Sequence, residues 1–120
     1  MKIGTDIVQI DRFKQSLDRF GNKFLDRFLN ASEISLSNKV ESYAGYWAAK
    51  EAISKALGCG IGKELSFKDI TISKTLNGVP YFRLSQTAQL HFQVTSSSLS
   101  ISHDGGFAIA VVAITQKEII

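Results

Sequence analysis

The segment from Trp47 to Gly58 reads as the second half of a long helix that ends at a glycine, and the remaining elements must pack around it. Its helical spacing places Trp47, Glu51 and Lys55 on one face, each four residues from the next. A carboxylate and an ammonium group one turn apart, next to a glycine-rich loop, can hold a metal ion and a phosphate side by side. The same two residues can also form an ordinary surface ion pair worth roughly 0.2–0.5 kcal/mol.

The bulk properties of the chain indicate one globular domain over residues 1–120 whose partner carries negative charge. Apolar residues make up 44% of the sequence, which argues against disorder. The net charge of +3 fits a phosphorylated cofactor or an acidic protein, and no dense basic block interleaved with aromatic residues indicates nucleic acid. With one cysteine, Cys59, and no apolar run near the ~20 residues of a membrane span, a cytoplasmic protein without disulfides is expected.

The pattern along the chain predicts an α+β fold with an N-terminal strand, then helices, then antiparallel strands. Asp11 is a candidate N-cap for the first helix. Asn77-Gly78 is the strongest hairpin signal, because both residues tolerate the positive φ angles of a type I′ turn. The predicted strands span residues 2–10, 66–74, 80–84, 99–102 and 107–115, and the predicted helices span residues 12–20, 23–29, 40–57 and 86–92.

Asp6 lies within the apolar first strand, where a carboxylate is costly unless it is paired, exposed or bound to a metal. Two carboxylates from separate elements, Asp6 and Glu51, suit Mg²⁺, which is usually held by one or two carboxylates plus substrate phosphates. Lys55 would then neutralise phosphate oxygens, and Gly60 and Gly62 would let backbone amides approach a phosphate. The alternative for Asp6 is a carboxylate at an exposed strand edge.

Ser102 and His103 lie at the end of a predicted strand, before a glycine-rich turn. The histidine is a candidate donor to a phosphate, or a proton carrier whose pKa is near neutrality. The alternative is an exposed turn residue without a specific role.

The first two predicted helices offer a set of basic side chains at spacings that leave apolar residues between them. These cations could form a solvated face, or they could receive an acidic helix of a partner protein. A non-catalytic binding module for such a partner is therefore the alternative to an enzyme. The basic residues concerned are Arg12, Arg19, Lys23 and Arg27.

Taken together, these motifs resemble the holo-[acyl-carrier-protein] synthase family, the small bacterial type of 4′-phosphopantetheinyl transferase. The resemblance covers essentially the whole chain, and the glycine–aspartate motif combined with the helix motif is its most specific part. The segments occur in a fixed order: Gly4-Thr5-Asp6-Ile7-Val8, Trp47-Ala48-Ala49-Lys50-Glu51-Ala52, Lys55-Ala56-Leu57-Gly58, Gly60-Ile61-Gly62, Asn77-Gly78-Val79-Pro80 and Ser100-Ile101-Ser102-His103.

The resemblance implies an enzyme that moves 4′-phosphopantetheine from coenzyme A to a serine of apo-acyl carrier protein in fatty acid biosynthesis. It implies that Asp6 and Glu51 bind Mg²⁺ and that Lys55 contacts the coenzyme A pyrophosphate. It further implies that the segment ending in Ser102 and His103 helps to hold the nucleotide end. The base that accepts the serine proton stays open between a water on the metal, Glu51 through a water, and His103.

The resemblance also bears on assembly and partner binding. Arg12 is expected to contact an acidic residue of the carrier, and the chain is expected to form a homotrimer with active sites between subunits. One departure concerns Tyr46, where the family usually has an arginine that helps to bind a coenzyme A phosphate. A tyrosine can donate one hydrogen bond or stack, but it carries no charge at pH 7.

Overall fold

A computed structural model describes residues 1–118, and it shows the α+β class expected from the sequence. No helix within those residues is both long and apolar enough to cross a membrane. The strands are β1 (Lys2–Gln9), β2 (Ile70–Lys74), β3 (Pro80–Leu84), β4 (Val94–Asp104) and β5 (Phe107–Gln116). The helices are α1 (Ile10–Phe20), α2 (Asn22–Phe28), α3 (Ala31–Ile34), α4 (Val40–Ala56) and α5 (Gln86–Phe92), with a 3₁₀ turn at Phe67–Asp69.

The main sheet has three antiparallel strands in the order β1-β5-β4, so β5 lies in the middle. Asp6 of β1 and Ile101 of β4 both stand opposite Ala110 of β5. The hairpin β2–β3 forms a separate two-stranded sheet. The first and last parts of the chain therefore meet in one sheet, although more than half of the sequence lies between them.

The long helix α4 covers one face of this sheet, and small residues on the strands let it approach closely. A Cβ atom at Gly4 would lie 1.9 Å from the carbonyl oxygen of Ala52, so β1 and the backbone of α4 are in direct contact there. Ala108 and Ala110 of β5 are fully buried on the same face. Because Asp6 follows Gly4 by two residues in a strand, its side chain points to the same face as that contact.

Helices α1 and α2 pack their aromatic side chains around Trp47 of α4. The ring centroid of Trp47 lies 5.9 Å from that of Phe24 and 5.0 Å from that of Phe28. The ring centroid of Phe67, in the 3₁₀ turn, lies 4.7 Å from that of Trp47. Aromatic pairs at such spacings contribute beyond their buried area, and this cluster anchors the first two helices to α4.

On the opposite face of the three-stranded sheet, β1 and β5 present apolar side chains that nothing within residues 1–118 covers, while β4 presents serines there. Ile7 of β1 is 60% exposed, and its register partner Ile109 of β5 is 42% exposed. Ile3 and Val111 lie on the same face and are exposed as well. Strand β5 is therefore apolar on both faces, although α4 covers only one of them.

Two local predictions, one at a helix start and one at a turn, need correction. Asp11 is not the N-cap of α1, because the helix begins at Ile10 and Gln9 takes the cap position. The β2–β3 hairpin forms as predicted, but φ is positive at Gly78 and not at Asn77, which excludes a type I′ turn. Its backbone bonds, Gly78 N–H to the Thr75 carbonyl and Thr75 N–H to the Val79 carbonyl, match a three-residue loop whose left-handed position is the glycine.

Three boundaries, at both ends of β4 and at the start of β2, also differ from the prediction. Strand β4 begins at Val94 rather than at residue 99, because it runs through a polar serine and threonine stretch without an apolar alternation. It also includes His103, which pairs with Ala108 and is a strand residue rather than a turn residue. The strand predicted from residue 66 begins at Ile70, after the 3₁₀ turn.

Candidate active site

Strand β1 and helix α4 bring Asp6, Glu51 and Lys55 together. The Lys55 ammonium donates to Asp6 Oδ1 at 2.9 Å and to the carbonyl oxygen of Thr5 at 3.2 Å. The two side chains of this ion pair are 49 positions apart in sequence. Lys55 thus pairs with Asp6, and the ion pairs among residues 1–118 include none between Lys55 and Glu51.

The electrostatics of the pair of carboxylates favour a bound cation. Burial raises the pKa of Glu51, and the negative charge of Asp6 raises it further, while Lys55 opposes both effects. The side chain of Lys55 is 54% exposed and that of Asp6 is 16% exposed, so the ammonium lies on the solvent side of the Lys55–Asp6 ion pair. Its hydrogen bond with Asp6 is the main cause of the raised pKa of Lys55. One ammonium thus balances two neighbouring carboxylates, which leaves negative charge for a metal ion to neutralise.

The donor set is a test of which metal fits. No group of three or more His, Cys, Asp or Glu side chains that could hold a metal ion occurs within residues 1–118. Zn²⁺ sites need three or four protein ligands, often nitrogen or sulfur, and this site has none of those. Two carboxylates fit Mg²⁺, which keeps several waters and completes its coordination with substrate phosphates. Asp6 and Glu51 are the residues that would hold it.

A cavity of about 400 Å³ opens beside the two carboxylates. Its lining includes both Asp6 and Glu51 and the aromatic residues Phe13, Phe24 and Trp47. The cavity therefore combines carboxylates, suited to a metal, with aromatic surface suited to an apolar chain.

The sequence-predicted basic residues are distributed along α1 and α2 near this cavity. Arg12 lines the cavity itself, in contrast to the other three. The guanidinium of Arg19 lies 5.1 Å from the ring centroid of Phe20. Lys23 and Arg27 are exposed on α2, and neither forms an ion pair within residues 1–118. We call these four exposed cations the basic surface of α1 and α2; Asp11, Asp18 and Asp26 are exposed on the same two helices.

His103 lies away from the carboxylates, in a smaller cavity of about 190 Å³. Glu41 and Ser42, from the first turn of α4, and Lys74, at the end of β2, line this cavity with it. Ser102 is exposed next to His103 on β4. The structure of one chain therefore does not bring Ser102 and His103 to Asp6, Glu51 and Lys55.

The glycine loop after α4 is closed by its own backbone. The N–H of Gly60 donates to the carbonyl oxygen of Ser54 at 3.2 Å, and the N–H of Gly62 donates to that of Leu65 at 2.9 Å. In this conformation neither amide is free for a phosphate, and their expected role as amide donors stays a prediction.

Tyr46 is not available for the contact considered from the sequence, because its side chain points into the core. It is 1% exposed, and its hydroxyl is buried without a hydrogen-bond partner among residues 1–118. The ammonium of Lys74 lies 5.7 Å from the centroid of the Tyr46 ring, on its outer side toward the His103 cavity. Lys74 is a cation beside the Tyr46 ring that was not among the residues predicted from the sequence. Its only sequence signal was its place directly before the hairpin turn.

Comparisons with known proteins show which family the chain belongs to. The model of the 4′-phosphopantetheinyl transferase superfamily matches residues 2–112. A holo-[acyl-carrier-protein] synthase of a Sulfurovum species is 59% identical over 114 residues, covering 95% of this chain and 96% of the relative. The enzyme of the same name from Sulfurimonas denitrificans is 55% identical over 112 residues, or 93% of each chain.

Solved structures show the same fold. Helicobacter pylori holo-[acyl-carrier-protein] synthase in complex with coenzyme A superposes with a TM-score of 0.91 at 54% identity, covering 94% of this chain and 99% of that one. The synthase from Neisseria meningitidis gives a TM-score of 0.84 at 31% identity, covering 96% and 98%. The chain therefore belongs to the 4′-phosphopantetheinyl transferase superfamily and, within it, to the holo-[acyl-carrier-protein] synthase family.

Proposed function

We propose that this protein transfers 4′-phosphopantetheine from coenzyme A to a serine hydroxyl of apo-acyl carrier protein in a Mg²⁺-dependent reaction. The observation that carries the proposal is the meeting of Asp6, Glu51 and Lys55 at the edge of one cavity. Family membership, and the coenzyme A complex of the similar Helicobacter pylori enzyme, support the choice of substrate.

The reaction is a phosphoryl-type transfer with a clear atom balance. The serine oxygen of the carrier forms a bond to the phosphorus that bears the pantetheine arm, and the bond from that phosphorus to the bridging oxygen breaks. Adenosine 3′,5′-bisphosphate leaves, and the serine proton is released. Negative charge grows on the leaving oxygen, so fixed positive charge nearby accelerates the step.

The position of each residue in or beside the cavity indicates its role in the reaction. Asp6 and Glu51 would hold Mg²⁺, and the ion would supply positive charge to neutralise the pyrophosphate. Lys55 is 54% exposed on the solvent side of these carboxylates, so its ammonium can turn from Asp6 toward the phosphates. Phe13, Phe24 and Trp47 give the same cavity an apolar lining against which the pantetheine arm can pack.

The exposed basic surface on α1 and α2 suits the acidic carrier. Arg12 lines the cavity, and we assign to it the contact nearest the reacting serine. Arg19, Lys23 and Arg27 extend the positive surface away from the cavity and mainly raise the rate of encounter. This assignment makes the basic surface part of the transferase, so a separate non-catalytic binding function is not needed to explain it.

We further propose a homotrimer in which neighbouring copies complete each active site. Two features support it: the uncovered apolar face around Ile7 and Ile109, and the placement of His103 and the two carboxylates in separate cavities of one chain. An apolar sheet face of this kind is a common site of association between copies. Ser102 and His103 of one copy would then hold the nucleotide end of coenzyme A bound at the carboxylates of the next.

The decisive experiment is to incubate the protein with coenzyme A, Mg²⁺ and apo-acyl carrier protein and to weigh the carrier by mass spectrometry. We expect the carrier to gain one phosphopantetheine group, and we expect chelation of Mg²⁺ to prevent it. A carrier whose serine stays unmodified with Mg²⁺ and coenzyme A in excess would refute the proposed function. The place in fatty acid biosynthesis, the extent of the catalytic domain over residues 1–120 and the cytoplasmic location stay predictions that this assay does not address.

A further inference from the structure

The helix motif contains a third charged residue, Lys50, that has no part in the chemistry described so far. Its side chain is fully buried, next to the metal-binding Glu51 in sequence. Its ammonium donates to the carbonyl oxygen of Phe28 at 2.7 Å, to Glu33 Oε1 at 2.8 Å and to the carbonyl oxygen of Phe67 at 3.0 Å. An ammonium group has three N–H donors, so all of them are used.

Glu33 is equally buried, and it extends the network to two further elements. Its Oε1 also accepts from the backbone N–H of Asn30 at 2.7 Å, which caps α3. Its Oε2 accepts from the backbone N–H of Ile72 at 2.6 Å, in the middle of β2. The Lys50–Glu33 pair therefore connects α4 to the end of α2, to α3, to the 3₁₀ turn and to the β2–β3 hairpin.

Stability alone does not explain such a pair. Removing two charges from water costs several kcal/mol per ion, and replacing a buried ion pair by well-packed apolar residues is often neutral or stabilising. The pair instead restricts the orientation of the segments that it joins, because each hydrogen bond fixes an angle as well as a distance. A network that joins five segments through one helix residue holds that helix in one orientation.

The orientation matters because Glu51 directly follows Lys50. Successive residues of an α-helix point about 100° apart, so Lys50 faces α3 and β2 while Glu51 faces β1. At a side-chain radius of about 5–6 Å, a rotation of α4 by about 10° moves a carboxylate by about 1 Å. A misplacement of about 1 Å at a reacting centre can cost about 10²-fold in rate.

We propose that the Lys50–Glu33 pair is a positioning element of the active site, which fixes the rotation of α4 so that Glu51 and Lys55 meet Asp6. Through the bond from Ile72 it also holds the β2–β3 hairpin, and with it Lys74 beside the His103 cavity, against the same helix. The inference rests on the proposed function, since it concerns the geometry of that reaction. Lys50 and Glu33 are positioning residues and touch neither substrate nor metal.

The test compares Lys50→Met with a core variant of equal stability. Lys50→Met keeps the length of the aliphatic chain and removes the three donors. The control is Phe92→Leu, or Phe92→Ala if a larger loss is needed to match the melting temperature. Phe92 is buried on α5, which contributes no residue to the network or to the cavity beside Asp6.

Two readouts are compared below the melting transition of both variants. We expect Lys50→Met to lower kcat by about 10–100-fold, as loss of supporting contacts around metal ligands does, with a smaller change in KM for coenzyme A. The fluorescence of Trp47, the only tryptophan, reports Mg²⁺ and coenzyme A binding next to Glu51 without turnover. The Mg²⁺ concentration at half-saturation should rise by about tenfold or more in Lys50→Met and stay within about twofold in the control.

Equal kcat and equal Mg²⁺ half-saturation in Lys50→Met and its stability-matched control would overturn the proposal and leave the pair as a purely structural contact. If Lys50→Met does not fold, Glu33→Gln replaces it, because an amide NH₂ in place of Oε2 opposes the Ile72 N–H and loosens the hairpin while Oε1 still accepts from Lys50. The same two readouts then decide. A wild-type protein without transferase activity would refute the proposed function instead, and the fluorescence titration would still test the positioning role.

Discussion

The two ends of α4 face two cavities, and the candidate catalytic residues Asp6 and Glu51 line one of them. At the C-terminal half, Asp6, Glu51 and Lys55 come together within a single chain beside a cavity of about 400 Å³. At the N-terminal end, His103 and Lys74 line a cavity of about 190 Å³ that neither Asp6 nor Glu51 lines. Under the proposed function, one chain supplies the metal and transfer half of the site, and a second copy supplies the nucleotide half.

The largest effect is expected at the carboxylate half. Asp6→Asn or Glu51→Gln removes one of the two carboxylate charges proposed to bind Mg²⁺, and metal stabilisation worth several kcal/mol corresponds to about 10²–10³-fold in rate. Neither change should unfold the protein, because each one also relieves repulsion between the two carboxylates. Transfer to the carrier, measured with and without added Mg²⁺, checks the rate, and melting curves check the fold. Glu64→Gln, an exposed carboxylate outside both cavities, serves as the control and should keep wild-type activity.

The second-largest effect is expected on the uncovered sheet face, where two copies of the chain would associate. Ile109→Lys places a charge in the centre of the uncovered sheet face, where burial against another copy would be costly. We expect the protein to become monomeric in light-scattering measurements and to lose transferase activity with its assembly. Leu90→Lys, on the exposed surface of α5, should leave the assembly unchanged. An active monomeric Ile109→Lys variant would show that one chain suffices.

Mixing two inactive variants tests whether the carboxylate half and the nucleotide half of a site come from different copies. Asp6→Asn damages the carboxylate half of a site, and His103→Ala damages the nucleotide half. If the halves come from different copies, unfolding and refolding the two variants together should restore activity above that of either alone. Activity that never exceeds the sum of the separate variants would place both halves in the same chain.

A smaller effect is expected from the contact that places β1 on α4. A Cβ atom added by Gly4→Ala would overlap the Ala52 carbonyl oxygen at 1.9 Å, so the strand and helix must separate. Overpacking of this kind costs about 1–3 kcal/mol of unfolding free energy, measurable by chemical denaturation. Gly62→Ala is the matched control for stability, because a Cβ atom there meets no neighbour within 4 Å. Equal stability of the two variants would argue against a tight β1–α4 contact.

The smallest effect is expected on the basic surface. Arg12→Ala should raise KM for the carrier by about fivefold, as loss of one partly exposed charge contact does, with little change in KM for coenzyme A. Lys14→Ala, which removes an exposed cation already paired with Asp18, should change carrier binding less. The difference should shrink at high salt, because screening weakens exposed charge contacts. Equal losses for carrier and coenzyme A would reject a partner-binding role for Arg12.

Much of this architecture could be read from local sequence signals. The helix ending near Gly58, the hairpin around Gly78 and the Ser85-capped helix α5 all depend on neighbouring residues and formed close to the predicted positions. Local signals were weaker where the chain is polar and at the start of α1. Strand β4 begins five residues earlier than predicted, and Gln9, which forms no side-chain capping bond, occupies the N-cap position of α1 in place of Asp11.

The candidate site divides in the same way. The sequence alone indicated that Asp6, Glu51 and Lys55 are the residues suited to a metal and a phosphate, because residue type and helical spacing determine that chemistry. It could not show that Lys55 pairs with Asp6 rather than with Glu51, nor that Tyr46 points into the core with Lys74 over its ring. Those outcomes depend on contacts between residues far apart in the chain.

The sequence by itself determined which side chains carry charge, which segments are helices or strands, and which family the motifs resemble. Only the tertiary structure decided how α4 is rotated against the sheet, and that rotation places Glu51 toward Asp6 and Lys50 toward Glu33. The physical reason is that a helix pattern sets angles between its own residues but not its orientation in the molecule. Close contact at Gly4 and the buried Lys50–Glu33 network set that orientation here.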